Sequence, residues 1–233
     1  MADGIWKQLE ETSQLRRDDP STWSGEQPNG FQALTQAGAF NAMASPVVVE
    51  ALDELFGRDG WTSTETWGAP LVTFPRTGQQ WTIPNRQWHL DFPVRERGDK
   101  FPGVRILTFL APVEPRGGGT VVLEGSHRLV ERLVASGKTG LGHSREIRDS
   151  LAAAHPWLHA LWSKSSDESS RAIYSLGTTQ EVDGVEVKLE ELTGAPGDVV
   201  LMHPRTFHAP APNCGERPRL MVAHSVDRKG VNW

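Results

Sequence analysis

Apolar positions along the chain change their period three times. Residues 1–30 are mostly polar, with Trp6, Leu9 and Leu15 spaced as one side of a short amphipathic helix. Phe31 to Phe40 reads as a second short helix. Ser45-Pro46 then opens a clearer one, with Ser45 suited to the N-cap and Pro46 to the first helical position. Val48, Val49, Leu52, Leu55 and Phe56 form its apolar face, and Gly57 stops it. From Trp61 the texture becomes short apolar runs punctuated by Gly, Pro and Asn. The runs are 69–74, 81–84, 87–92, 104–110 and 119–123, each of strand length. Helical spacing returns between Ser126 and Leu161. Ser126 is the expected cap of one helix, Ser144 starts a second, and Pro156 begins a further turn. Strand texture resumes at Glu181, with Asp183-Gly184 as a hairpin turn, then at 199–203 and 219–226.

No helical period separates the strands of the middle region, which argues against a doubly wound parallel sheet. The pattern predicts a mainly β molecule with flanking helices, an all-β barrel or jelly roll carrying one helical insertion around 127–166. The chain reads as a single domain over 1–233, with an N-terminal helical cover at 1–60 and a β core at 67–227.

Composition narrows the class. The 233 residues are 37% hydrophobic and 23% charged, which suits a soluble globular chain. The net charge is −5 and Lys and Arg are scattered, so no basic patch points to nucleic acid. Cys214 is the one cysteine, which excludes an intrachain disulfide and a Cys-based zinc site and suits a reducing, cytoplasmic setting. Residues 1–8 lack the basic start and apolar stretch of a signal peptide, and no run approaches a transmembrane length. No membrane association is expected.

The candidate chemistry begins at His89-Leu90-Asp91. Residues i and i+2 of a strand share a face, so the imidazole and the carboxylate can converge. Two His and one carboxylate on one face of an octahedron is the arrangement of non-haem Fe(II) oxygenases, with positions left open for substrate and O2. His-x-Asp alone is a weak signal, and it needs a second His.

Five segments supply the context: His89-Leu-Asp91, Gly117 to His127, Gly197 to Pro204, His208 to Asn213, and Arg217-Pro-Arg219. In order and spacing they resemble the phytanoyl-CoA dioxygenase family of Fe(II)/2-oxoglutarate oxygenases, over about 67–227. The resemblance implies a double-stranded β-helix with iron held by His89, Asp91 and His208. It also implies an Arg that pairs with the C5 carboxylate of 2-oxoglutarate, namely Arg219, eleven residues after His208. A planar guanidinium can grip a carboxylate with two parallel hydrogen bonds. Arg217 is the rival, placed before Pro218 in a turn. His203, His224, the His155/His159 pair and His127 are rivals for the metal, with loop, packing or helix-start roles as their simpler readings. Family members often carry Pro where this chain has Glu124. The residues holding the C1 end of 2-oxoglutarate are open, with Gln87, Thr108 and Thr73 as polar candidates.

The implied cofactors are Fe(II), with 2-oxoglutarate and O2 as cosubstrates. The implied reaction decarboxylates 2-oxoglutarate to succinate and hydroxylates a small-molecule C–H bond. Related halogenases have a small residue at the position of Asp91, so a carboxylate there disfavours halogenation; desaturation and cyclisation stay open. Substrate contacts are expected from Trp88, Phe92, Arg95, Arg97 and the insertion. A monomer or a homodimer is expected. The alternatives are a cupin-like metalloenzyme that does not use 2-oxoglutarate and a non-catalytic binding module.

Overall fold

The computed structural model describes residues 1–23, 28–76, 78–92, 101–137, 142–163 and 174–231. Its helices are α1 (Ala2–Ser13), α2 (Gln32–Gln36), α3 (Pro46–Phe56), α4 (Ser126–Ala135), α5 (Ser144–Ala154) and α6 (Pro156–Trp162). Its strands are β1 (Ala69–Thr73), β2 (Gly103–Phe109), β3 (Thr120–Glu124), β4 (Thr179–Val182), β5 (Val185–Glu191), β6 (Val199–Met202), β7 (His208–Pro210) and β8 (Arg219–Asp227).

The strands make two antiparallel sheets in the orders β1-β8-β2-β6 and β4-β5-β3-β7. From β5 to β8 the chain alternates between the sheets, and it crosses from one to the other between β2 and β3, as in the winding of a double-stranded β-helix. Residue period 2 gives every strand two faces. On β2 and β8, Val104, Ile106, Leu220, Val222 and Val226 pack against Ile5, Trp6, Leu9, Phe40, Leu52 and Phe56 of the N-terminal helices. The alternate residues Leu107, Phe109, Met221 and Ala223 face the other way and meet Leu192, which follows β5 of the second sheet. This is the barrel interior. The outer face of the second sheet is covered by α4–α6, through Leu129, Val130, Ile147, Leu158 and Leu161 against Val121, Leu123, Val187 and Leu189.

Local chemistry explains most elements. Ser45 Oγ accepts from Val48 N–H at 3.4 Å and Pro46 opens α3, as its sequence predicts. Asp183 and Gly184 both take positive φ, 48° and 70°, which the tight β4–β5 hairpin requires.

Three expectations change. Residues 81–84 form no strand, and Ile83 simply enters the core. Among the described residues the 87–92 run pairs only at His89. Ser126 is not the cap of α4, which is Gly125, whereas α5 does start at Ser144, with His143 as its cap. The two serine hydroxyls accept backbone N–H groups from elsewhere, Phe207 at 2.9 Å and Leu90 at 2.8 Å.

Candidate metal centre

Alternation of the 87–92 segment sends Trp88 and Leu90 into the core under α4–α6 and leaves His89 and Asp91 pointing into the barrel. His89 and His208 form a reciprocal backbone pair, N to O at 3.0 and 3.1 Å. Their rings are consequently neighbours, with centroids 4.2 Å apart. One ligand atom each from His89, Asp91 and His208 lies within 4.8 Å of the others, and no other such group of three occurs among the described residues. His208 Nε2 is 3.4 Å from Asp91 Oδ2, and His89 Nε2 is 3.7 Å from Oδ1.

Both imidazoles are oriented in the same way. His89 Nδ1 is 2.7 Å from the carbonyl of Gln87, and His208 Nδ1 is 3.0 Å from the carbonyl of Thr206. A carbonyl can only accept, so each Nδ1 carries the hydrogen and each Nε2 lone pair is free for a metal. Gln87 takes φ 61° to turn its carbonyl back onto the ring, a conformation that non-glycine residues adopt rarely. Its role is therefore that of its backbone; its side chain is exposed.

Burial pushes the pKa of His208 down to about 4, so its ring is neutral at physiological pH, as a ligand must be. Pairing with Asp91 raises that of His89 against its burial. Burial alone would raise the Asp91 carboxyl, but His89, His208 and Arg105 together outweigh it and hold it below its ordinary value. The donor set of two imidazoles and one carboxylate, all convergent, fits a divalent transition metal.

Arg219 opens β8 and faces the same interior. Burial draws its pKa down to about 10, with Glu191 opposing the shift, and it remains a cation at neutral pH. Its Nε hydrogen finds no acceptor, and no hydrogen bond or ion pair to its guanidinium occurs among the described residues. A sealed, unpaired guanidinium is costly, and an anion is what would relieve it. Arg217, the rival, is exposed. Asn213, fully buried, ties this end together: its Nδ2 donates to the carbonyls of Thr73 and Arg217 at 3.1 and 2.8 Å. The glycine-rich turn closes beneath it. A Cβ on Gly118 would come 2.7 Å from Asn213 Cβ, and one on Gly119 would come 2.3 Å from the Leu192 carbonyl.

The C1 candidates fare differently. Thr108 pairs in register with Val222, whose side chain packs under the N-terminal helices, so Thr108 faces away from the barrel. That corrects the expectation for Thr108, and the exposed side chain of Gln87 corrects that for Gln87. Thr73 pairs with Arg219 and shares its face, at the far end from the imidazoles. The group that does reach the cluster is Arg105, whose Nε lies 3.1 Å from Asp91 Oδ2. A charged residue at the inward parity of the apolar run Val104 to Phe109 was the signal for it.

The other histidines sit elsewhere. His203 follows β6 and stacks on His127 of α4 at 4.7 Å, with Glu131 3.5 Å away. His224 stacks on Trp67 at 4.4 Å. His155 joins α5 to α6 and His159 lies in the last turn of α6. Trp88 is 2% exposed and belongs to the core, which removes it as a substrate contact. Arg95 and Arg97 lie outside the described residues.

The family model for phytanoyl-CoA dioxygenase (PhyH) matches residues 24–221. The chain belongs to this family. The match begins at residue 24, so α2 and α3 of the N-terminal cover lie within it and α1 lies before it. No curated protein matches the sequence. Among solved structures, HygX from Streptomyces hygroscopicus, with nickel and 2-oxoglutarate bound, is 14% identical over 99% of this chain and 79% of its own, with a TM-score of 0.48. AviO1 from Streptomyces viridochromogenes Tue57 is 15% identical over 100% and 83%, with a TM-score of 0.47. EvdMO1 is 16% identical with a TM-score of 0.45; the match covers 82% of this chain and 32% of that one. The chain thus spans about a third of the EvdMO1 chain.

Proposed function

We propose that the chain is an Fe(II)- and 2-oxoglutarate-dependent oxygenase that hydroxylates a C–H bond of a small molecule. The observation that carries this reading is the pairing of two features inside one barrel: the convergent His89, Asp91 and His208 cluster, and the buried, unpaired Arg219. Iron, when bound, would activate O2, which is the oxidant: 2-oxoglutarate and the substrate C–H bond would each give up two electrons, one oxygen atom going to succinate, formed with CO2, and the other to the hydroxylated product.

The chain's own residues do the rest. His89 and His208 present Nε2 because the carbonyls of Gln87 and Thr206 hold their Nδ1–H groups. Asp91 adds a charged oxygen and fills the position that would otherwise be free for a halide. Arg219 takes the distal carboxylate of the cosubstrate, and Leu71, Leu107, Met221 and Ala223 line the interior with groups that exclude water. Arg219 weighs against a cupin-like enzyme that does not use 2-oxoglutarate, and the intact ligand set weighs against a non-catalytic module. A cytoplasmic monomer or homodimer, acting as one domain over 1–233, completes the reading. Among the described residues no helix is long and apolar enough to cross a membrane.

The deciding experiment is O2-dependent succinate formation from 2-oxoglutarate with Fe(II), screened across small metabolites. Succinate in proportion to 2-oxoglutarate consumed supports the reading. Protein that binds the metal but yields no succinate under any condition overturns it.

A further inference from the structure

With Gln87 and Thr108 turned away from the cavity and Thr73 at the Arg219 end, the C1 end of the cosubstrate has no partner from the expected set. Arg105 stands where one is needed. It lies on the inward face of β2, in register with Ser225 of β8 and Met202 of β6. Its Nη1 donates to Ser225 Oγ at 2.7 Å, which fixes the side chain toward the metal end of the barrel. Its Nε is 3.1 Å from Asp91 Oδ2. That contact is an ion pair and not an aligned hydrogen bond, since the Nε hydrogen meets no acceptor although the atom is buried. A charged donor is therefore left over beside the metal ligands.

A divalent ion balances two carboxylates in net charge, yet their oxygens still crowd one another. Asp91 and a chelating keto acid would place two carboxylates on one cation, and like charges crowded together repel. Arg219 offsets only the distal carboxylate. A second fixed cation next to Asp91 offsets the proximal one, and a guanidinium has N–H groups enough to serve two oxygens at once.

We propose that Arg105 is a cosubstrate-binding residue: it shares its guanidinium between Asp91 and the metal-bound C1 carboxylate of 2-oxoglutarate. The proposal rests on the iron and 2-oxoglutarate reading above. Its test separates the two ends of the cosubstrate without turnover. Calorimetry on Ni(II)-loaded protein compares 2-oxoglutarate with oxalate, a chelating anion that has no distal carboxylate for Arg219. Loss of a charged hydrogen bond corresponds to weakening on the order of 10- to 100-fold. Arg105→Met is expected to weaken both ligands by that order, with Ni(II) affinity held within a few-fold, and Arg105→Lys to recover part of the loss. Arg219→Met is expected to weaken 2-oxoglutarate and spare oxalate. If Arg105→Met does not fold, Ser225→Ala, which only releases the tether, is expected to weaken oxalate by a smaller factor. Unchanged oxalate binding in Arg105→Met, or in Ser225→Ala when that is the variant available, overturns the proposal. Wild-type protein that binds Ni(II) and oxalate but not 2-oxoglutarate overturns the functional reading instead, and the response of oxalate to Arg105 is still read.

Discussion

The two helical layers of this molecule cover equivalent sheet faces by different means. The N-terminal layer, α1–α3, meets its sheet through apolar side chains such as Leu9, Phe40 and Leu52. The inserted layer, α4–α6, has a comparable apolar contact but also two serine hydroxyls that reach the backbone carrying the His89, Asp91 and His208 cluster. Ser144 holds the N–H of Leu90, between His89 and Asp91, and Ser126 holds the N–H of Phe207, next to His208. The first layer insulates. The second is mechanically tied to the site. Similar burial therefore says little about whether a layer can alter function.

The comparison can be broken most severely at the ligands themselves. His208→Ala or Asp91→Ala is expected to abolish metal binding and all iron-dependent 2-oxoglutarate consumption while leaving both helical layers folded, measurable by metal titration beside circular dichroism. Wild-type metal affinity in either variant would refute the ligand set. Next comes Leu52→Ala in the insulating layer. Large-to-small changes at such fully buried positions cost about 2–5 kcal/mol, so the urea midpoint should fall clearly. Metal affinity in the folded protein should not move; a parallel loss would mean that this layer too is coupled to the site.

A smaller effect is expected from Ser144→Ala. Leaving one buried N–H without its partner costs about 1–3 kcal/mol, and here part of that loss should appear as weaker metal binding. A variant that loses stability but keeps full metal affinity would erase the distinction between the layers. The smallest effect concerns pH. His224 sits under the N-terminal layer, stacked on Trp67 and accepting from the Gly68 N–H at 3.2 Å. Burial lowers its pKa to about 4 from the ordinary 6.5. The unfolded chain therefore takes up a proton that the folded one refuses. Stability contributed by the neutral ring is fully present above pH 6.5 and is lost as pH falls toward 4. His224→Gln should flatten this decline in melting temperature, and an identical slope would remove His224 as its source.

Much of this was legible in the sequence, for reasons that can be stated. The fold could be read because strand parity and turn residues repeat over most of the chain, as at Asp183-Gly184. His89, Asp91, His208 and Arg219 could be read because their order and spacing reproduce a family pattern, and the structure brings the first three together and leaves Arg219 buried and unpaired. Thr108 was misassigned because its polarity was weighed without its parity: Arg105 and Leu107 face inward, so Thr108 cannot. Ser126 looks like a cap in sequence because a hydroxyl before a helix usually satisfies its own first turn. Only the tertiary structure shows the distant Phe207 N–H competing for it. Arg105 was passed over inside an apolar strand, although a cation in that setting is itself a signal.

The reciprocal backbone pair between His89 and His208 also bears on how the chain folds. It joins segments separated by about half the sequence, through the only pairing that the 87–92 segment makes among the described residues. Contacts of such long sequence separation form late, because the intervening chain must be ordered first. The three ligand atoms are thus brought within reach only when β3, α4–α6 and β7 are in place. Capture of a divalent ion would then mark the end of folding, and stopped-flow refolding followed by metal uptake would time the closure of the barrel.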